Sequence, residues 1–513
     1  MENVYTEDAD FDVAKALAER GLCVDALSFA DSENSGPSTE HVGVVVGKLQ
    51  SLYPDAVTLP NSSSHSQWRS NFWSLQQREA IPACIFHPQT TDQVTTAILL
   101  CRWARCKFAV KSGGHAAMKG GSSGDGGITI DLKRLSGIAL SEDRKLASIG
   151  AGARWGDVYR VLEKEGLAVV GGRHSDVGAG GISLFASLYG WACDTVANFE
   201  LVTAAGQVLD VNQHSYPDIF WALRGAGSNF GIVTRFDMET FPLGDIFAGI
   251  ITYDHATQGN AVLSAFAQLA APNVDPKASS FLIIVKDKDT RFLSLLASYA
   301  DPITDAAVFQ PYRSIPSLAD PTKITTLVDF TEYLKTTLVN GHRQMYWTNT
   351  YKLSAPFISW FVTMFFDELD NFERLEKGDY HHRPIPYFQI LTKDCVSKMQ
   401  RNGGNCLPLT VEDAPYVNLV YACEWQDSQH DAAVTGLQRQ VMEKAVEEGR
   451  ERGVFVEYVY MNYASEYQDV MKGFGEKNGT RLRSISERCD PERVFQRLMP
   501  GYFRFGGAPR IVV

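Results

Sequence analysis

"VKSGGHAAMKGGSSGDGGITIDL", residues 110–132, sets one histidine in a glycine run between two apolar, strand-like segments. Glycines let a backbone come close to a phosphate, and consecutive N–H groups in such a loop form an anion-binding nest. Three familiar patterns fail here. A Walker loop would add a Lys with Ser or Thr, and a Rossmann fingerprint would run G-x-G-x-x-G from a strand into a helix. This run leads into another strand. A zinc site needs paired His or Cys at short spacing, and His115 has no such neighbour, so no metal is expected. What remains is a backbone nest with an imidazole at its tip, or a plain structural histidine in a turn.

Working outward, Thr90 and Gln93 make a capping signature, after which Val94, Ala97, Ile98 and Cys101 fall on one helical face. "KFAV" (107–110) is then a strand feeding the loop. Downstream, "GITIDL" (127–132) and "LASIGAG" (146–152) read as strands, and "RWGDVYRVLEKEG" (154–166) as an amphipathic helix closed by Gly166. "ELVTAAGQVLDV" (200–211) alternates about Ala205-Gly206, a hairpin signal. After Pro242 the texture turns to longer, aromatic-rich segments until about Val454. "KNGTRLRSISERCDPERVF" (477–495) predicts one helix stopped at Asp490-Pro491. The polar stretches "ADSENSGPSTEH" (30–41) and "PNSSSHS" (60–66) read as loops framing a short helical piece.

At 513 residues the chain exceeds a single core, so two or more lobes are expected. A hydrophobic content of 45% and a charged content of 21% are ordinary for a globular enzyme. The net charge of −12 argues against nucleic acid or an anionic membrane as partner. No run approaches about 20 apolar residues, so no membrane span is read. The acidic start, "MENVYTEDADFDVAKALAER", lacks a signal pattern. Nine scattered cysteines without a C-x-x-C pair suit reduced thiols. Together these give a cytoplasmic protein as the expectation, monomeric or weakly dimeric.

Four motifs then stand in one order: "KSGGHAAMKGG…GGITIDL", "GGRHSDVGAGGIS" (171–183), "YGWACDTVANFELVTAAGQVLDV" (189–211) and "DIFWALRGAGSNFGIVTRF" (218–236). They resemble the berberine bridge enzyme-like branch of the vanillyl-alcohol oxidase and p-cresol methylhydroxylase superfamily of FAD-linked oxidases. "YMNYASEYQDV" (460–470) and "DPERVF" (490–495) resemble its C-terminal return. The resemblance implies an α+β, two-lobed PCMH-type fold. FAD would be bound by 76–243 with a return of 455–513, an antiparallel-sheet substrate domain would span 244–454, and residues 1–75 would pack on the FAD lobe. It implies a covalent bond from His115 to the flavin 8α-methyl carbon, with pyrophosphate on the loop N–H groups. Cofactor contacts carry over to Val110, Lys111, Ser112, Gly113, Gly114 and Ala116; to Gly172, Val177, Gly178 and Gly181; to Asp194; and to Gly231, Ile232 and Val233.

The chain also departs from that pattern. Many relatives make a second flavin link from a Cys in G-x-C-P-T-V-G; the matching "GRHSDVG" carries His174 instead, so a single link is expected, with His174 a proton donor or a space filler. "VGAGGISLFASLYG" (177–190) looks several residues short. Val177 stands where a small side chain in relatives leaves oxygen access. "VEYVYMNYASEY" (456–467) offers Tyr458, Tyr460 and Tyr463; alternation places Tyr458, Tyr460 and Asn462 on one face and Tyr463 on the other. Tyr460 is favoured as the base, Asn462 as a flavin or substrate contact, and Tyr463 and His174 stand in reserve. "MYWTNTYKL" (345–353), "YFQIL" (387–391) and "VNLVYACEW" (417–425) fit a sheet roofing the flavin, with Val420 where plant relatives place a Gln or Glu.

The expectation is an FAD oxidase that tailors a small, largely apolar natural product by hydride transfer to flavin N5, with O2 reduced to H2O2, through dehydrogenation or oxidative cyclisation. A redox-neutral isomerase or cyclase on the same fold, and a carbohydrate oxidase, are the alternatives; a non-catalytic binding protein is disfavoured by the intact His115 loop.

Overall fold

The computed structural model describes residues 3–24, 39–271, 274–375 and 382–510; most of the polar stretch 30–41 lies outside them. Three sheets organise the chain. The first runs Val57–Thr58, Cys84–Phe86, Ile128–Asp131, Phe108–Lys111, and its last three strands are parallel. The crossover helix Thr91–Trp103 starts as the capping signature requires: Thr90 accepts the Gln93 N–H, and the Gln93 side chain accepts the Gln89 N–H. Val94, Ala97, Ile98 and Cys101 are fully buried, and so is most of the opposite face. That second face is covered by the helices Val13–Ala18 and Thr39–Leu52, through Leu17, Val45 and Leu49.

The second sheet is antiparallel: Ile138–Leu140, Leu146–Gly150, Ile232–Pro242, Val196–Val202 and Val208–Asn212, with Leu167–Val169 also paired to Ile232–Pro242. Its hairpin turns at Gly206, whose φ of +73° only glycine adopts cheaply. A small parallel layer beside an antiparallel sheet is α+β, not a doubly wound Rossmann sheet.

The third sheet has eight antiparallel strands in the order Lys323–Thr325, Ile246–Asp254, Thr290–Tyr299, Ala278–Asp287, Arg383–Leu391, Tyr416–Trp425, Arg343–Lys352, Phe455–Val456. The aromatic segments 345–353, 387–391 and 417–425 therefore lie on neighbouring strands. Period-2 alternation divides them. Trp347, Tyr351, Phe388, Leu419 and Tyr421 pack under the helices Ala355–Leu375 and Asp431–Glu451. The other face, with Phe281 and Leu391, joins a core shared with Ile149, Phe199 and Trp191 of the second-sheet layer. The site lies along this seam.

Two segments stitch the seam. Trp73 O accepts the Gly341 N–H and His342 O accepts the Leu75 N–H, tying the chain before the first parallel strand to the edge of the large sheet. After Val456 the chain leaves that sheet. The helix Gly475–Cys489 buries Leu482, Ile485 and Cys489 in the shared core, while Val494 and Phe495 reach the core of the first sheet. Pairing ends at Phe455–Val456, and residues Met461–Tyr463 form a 3-10 turn. The strand alternation expected across 456–463 is thereby broken, and Tyr463 comes round to the side of Tyr460 rather than the opposite one.

Candidate active site

A cavity of about 300 Å³ opens between the second sheet and the C-terminal return. Val110, Ser112, Gly180, Gly181, Gly231, Ile232 and Val233 form one side; Tyr458, Tyr460, Asn462 and Tyr502 form another. Its walls are mostly apolar with a few polar groups and no charged side chain, the usual balance of a cofactor or ligand pocket. Glycine makes the wall possible. A Cβ on Gly113 would sit 2.3 Å from the Gly178 nitrogen, and one on Gly178 would sit 2.6 Å from the Gly113 nitrogen. The first two glycine motifs thus run backbone against backbone. A Cβ on Gly231 would meet Val202 O at 2.6 Å. The short segment 178–190 still reaches the cavity: Gly180 and Gly181, at φ +130° and +113°, line it, and Gly180 O accepts the Trp155 indole N–H at 3.0 Å. An uncharged cradle of glycine backbone suits a dinucleotide held by N–H groups rather than by lysines.

Three of the expected cofactor contacts are placed differently. Lys111 lies on the far side of its strand from Val110; its ammonium is 3.3 Å from Asp131 Oδ1 and faces the Trp68 and Phe72 rings. Strand alternation turned it away from the cavity. Asp194 is fully buried beneath the wall, where it accepts the Trp191 N–H at 2.8 Å and the Asn405 amide at 2.7 Å and lies 3.5 Å from Arg224. Its neighbours Trp191, Ala192 and Cys193 line the cavity instead. Gly172 is a packing glycine: its carbonyl accepts the Tyr159 hydroxyl at 2.7 Å, and a Cβ there would strike the Trp155 ring. Gly114 takes φ +75°, Ala116 touches the site of a Gly121 Cβ, and the Val177 carbonyl accepts the Trp155 N–H.

His115 stands outside the cavity wall, at the seam. Its ring stacks on Trp73 at 4.2 Å and 13°, and Trp73 stacks in turn on Tyr346 of the large sheet at 5.6 Å. The imidazole Nε2 is buried without a hydrogen-bond partner. Burial lowers the His115 pKa to about 4, against the pull of Asp176, and lowers that of His174 to about 3, helped by Arg173 and His115. Both rings are therefore neutral near pH 7, and His115 offers a free nitrogen, the form a nucleophile or ligand needs.

The tyrosines converge on a cation that sequence reading passed over. Arg173 is 6% exposed and donates from one terminal nitrogen to the Tyr463 hydroxyl at 2.8 Å. The Tyr463 ring centre lies 5.2 Å from that of Tyr460, 5.3 Å from Tyr346 and 5.9 Å from Tyr387. Tyr460 has a different partner: the Asn462 amide donates to its hydroxyl at 2.8 Å. Burial, with Tyr463 adding to it, pushes the Tyr460 phenol well above its ordinary range. Val420 is fully buried between Thr348 and Tyr387 and supplies no base. Arg173 and Trp73 were missed because only the folded seam shows that each is buried beside a histidine or a tyrosine.

Residues 82–212 match a family described as an FAD binding domain. Across 97% of both chains, the protein is 33% identical to an FAD-dependent monooxygenase, tpcD, of Cochliobolus heterostrophus. It belongs to the FAD-dependent oxidoreductases. A second member of this group, FAD-dependent monooxygenase FUP4 of Fusarium proliferatum, is 31% identical over 95% of this chain and 97% of its own. Among solved structures, a single-substitution variant of berberine bridge enzyme superposes with a TM-score of 0.70 at 16% identity, over 91% of this chain and all of the other. 6-Hydroxy-D-nicotine oxidase of Arthrobacter nicotinovorans does so with 0.70 at 20% identity, over 88% and 98%. These likenesses show the α+β, PCMH-type fold. The chain is thus an FAD-dependent enzyme, and the glycine cradle and the unpartnered His115 fit that cofactor. Among the described residues no helix is long and apolar enough to cross a membrane.

Proposed function

We propose that this enzyme is an oxidase that tailors a small, largely apolar natural product, with residues 76–243 and 455–513 holding FAD and 244–454 roofing the substrate. FAD, when bound, accepts a hydride from a substrate carbon and passes the electrons to dioxygen. Val110, Ser112, Gly113, Gly178, Gly181, Gly231, Ile232 and Val233 would hold the cofactor by backbone, and the free nitrogen of His115 would anchor it covalently. The curated relatives, fungal monooxygenases and a bifunctional solanapyrone synthase of Alternaria solani, support the natural-product reading.

The observation that carries the mechanism is the Arg173–Tyr463 hydrogen bond beside the cavity. A guanidinium donor binds most strongly when its acceptor oxygen is anionic, so Arg173 supports Tyr463 as the phenolate that takes the proton of a substrate O–H or N–H and becomes a neutral phenol. Tyr460, hydrogen-bonded to a neutral amide and held as a phenol by burial, positions rather than titrates. This reverses the order in which the sequence ranked the two. His174, neutral and away from the tyrosine hydroxyls in hydrogen bonding, fills the place of the second flavin link.

One experiment tests the reading in two steps. Acid precipitation of the wild type should leave flavin in the pellet, and that of His115→Ala should release it to the supernatant. Turnover of a candidate substrate should then give H2O2 and a product lighter by two hydrogens. A product heavier by one oxygen would make the enzyme a monooxygenase, and one of unchanged mass an isomerase; either sinks the oxidase reading.

A further inference from the structure

Four arginines among the described residues are buried, and three are neutralised in a way the fourth is not. Arg102 meets Glu7 at 2.6 Å and Glu492 at 2.9 Å. Arg343 pairs with Asp431 and Glu79. Arg224 lies 3.5 Å from Asp194 and donates to the carbonyls of Cys193, Arg401 and Gly404. Arg173 has no carboxylate partner among the described residues. Its guanidinium lies over the Phe281 ring at 4.2 Å, one nitrogen donates to Tyr463, and the other is buried with no acceptor at all. An unpaired buried cation is among the costliest features a fold can hold, so a partner from outside the chain is the physical expectation.

The sheet opposite Arg173 carries matching unmet groups. Gln389 is the cross-strand partner of Phe281, and Asn418 is the cross-strand partner of Gln389. The Gln389 amide oxygen is buried without a donor, and the Asn418 amide nitrogen is buried without an acceptor. As placed, the Asn418 oxygen accepts the Thr350 hydroxyl at 2.9 Å, which leaves the amide nitrogen as its unmet group. Two donors, one of them charged, and one acceptor are thus unmet, Arg173 over the Phe281 ring and Gln389 and Asn418 on the two strands that follow Phe281 across the sheet.

We propose that Arg173 is a substrate-binding residue, and that the substrate presents an ionised enol flanked by a carbonyl group. The enolate oxygen takes the free Arg173 N–H, and the conjugated carbonyl and a neighbouring O–H or N–H meet Asn418 and Gln389. A neutral ligand, a sugar included, would leave the cation uncompensated. The assignment rests on the seam being the substrate site.

The test uses the enzyme as purified and two probe pairs at neutral pH: cyclohexane-1,3-dione, an enolate, against its methyl enol ether, and benzoate against benzamide. Binding is followed in parallel by flavin absorbance and by tryptophan fluorescence. The enolate should bind about tenfold or more tighter than its ether. Arg173→Gln should erase the difference, and Arg173→Lys should keep part of it. Equal affinity for enolate and ether in the wild type overturns the proposal without any variant, as does a preference that survives Arg173→Gln. A preference for benzoate alone would replace the enolate by a carboxylate and overturn it too. The two signals separate the readings. Enolate preference in protein that lacks flavin absorbance would sink the oxidase function and keep this site; flavin-loaded protein without preference would do the reverse.

Discussion

The two walls of the seam are built by opposite means. On the cofactor side, the loops at Gly113 and Gly178 pass so closely that neither tolerates a Cβ, and the wall is mainly backbone. On the large-sheet side, Tyr346, Tyr387 and Tyr463 crowd about Arg173, and the wall is side chain on strand and turn. A backbone wall has few solutions, all rich in glycine at fixed spacing. A side-chain wall can be repacked position by position, so it changes with the substrate while the fold stands.

The strongest way to break the comparison is to add one carbon to the backbone wall. Gly113→Ala places a Cβ on the Gly178 nitrogen, and backbone cannot swing aside as a side chain can. We expect flavin content to fall below about a tenth of wild type and the Tm to drop by a few degrees, on the order of 1 °C for each kcal/mol lost in a chain of this length. Gly137→Ala is the matched control, since a Cβ there meets nothing within 4 Å. Equal flavin-to-protein ratios in the two purified variants would show that the contact at Gly113 is not what shapes the cradle.

On the side-chain wall the expected losses are catalytic, with folding kept. Tyr463→Phe removes the hydroxyl that Arg173 holds and should slow anaerobic flavin reduction by about 10²–10⁴-fold. Tyr460→Phe removes only a hydroxyl bonded to a neutral amide and should slow it by about tenfold or less, consistent with one ordinary hydrogen bond. Stopped-flow rates for both, at equal flavin loading, sharpen the assignment. If Tyr460→Phe is the more damaged of the two, the base is Tyr460.

The same contrast explains what could be read before folding. The glycine loop, its His115 tip, the helix cap at Thr90 and the hairpin at Gly206 follow from local backbone needs that only certain residues meet, and each was legible. Lys111 and Asp194 sit inside the right motifs, yet strand alternation and an ion pair with Arg224 take their side chains elsewhere. The 3-10 turn at Met461–Tyr463 reversed the expected facing of Tyr463, because a strand pattern continues on paper past the point where pairing partners end. Arg173 carried no signal at all. Its importance lies in the carboxylate it lacks, and a missing partner is visible only in three dimensions.

The smallest expected effect lies where the two walls meet. His174 has a pKa of about 3, lowered first by burial and then by Arg173 and His115. An unfolded histidine titrates near 6.5, so between those values the unfolded chain binds a proton that the folded one refuses. The stability this contributes is fully present above about pH 6.5 and drains away as pH falls toward 3. Asp490 works the other way: burial raises its carboxyl to about 6, so the folded state holds that proton more firmly and gains on acidification. A wild-type Tm profile mixes these with His115, whose pKa burial lowers to about 4. His174→Gln keeps a polar side chain of similar size and removes one titration, so the difference between the profiles isolates it. Between pH 7 and pH 5 the variant's Tm should fall about 1–3 °C less than that of the wild type. Parallel profiles would mean that water or a carboxylate reaches the ring, and that His174 is not the sealed, neutral filler beside Arg173 that its surroundings make it.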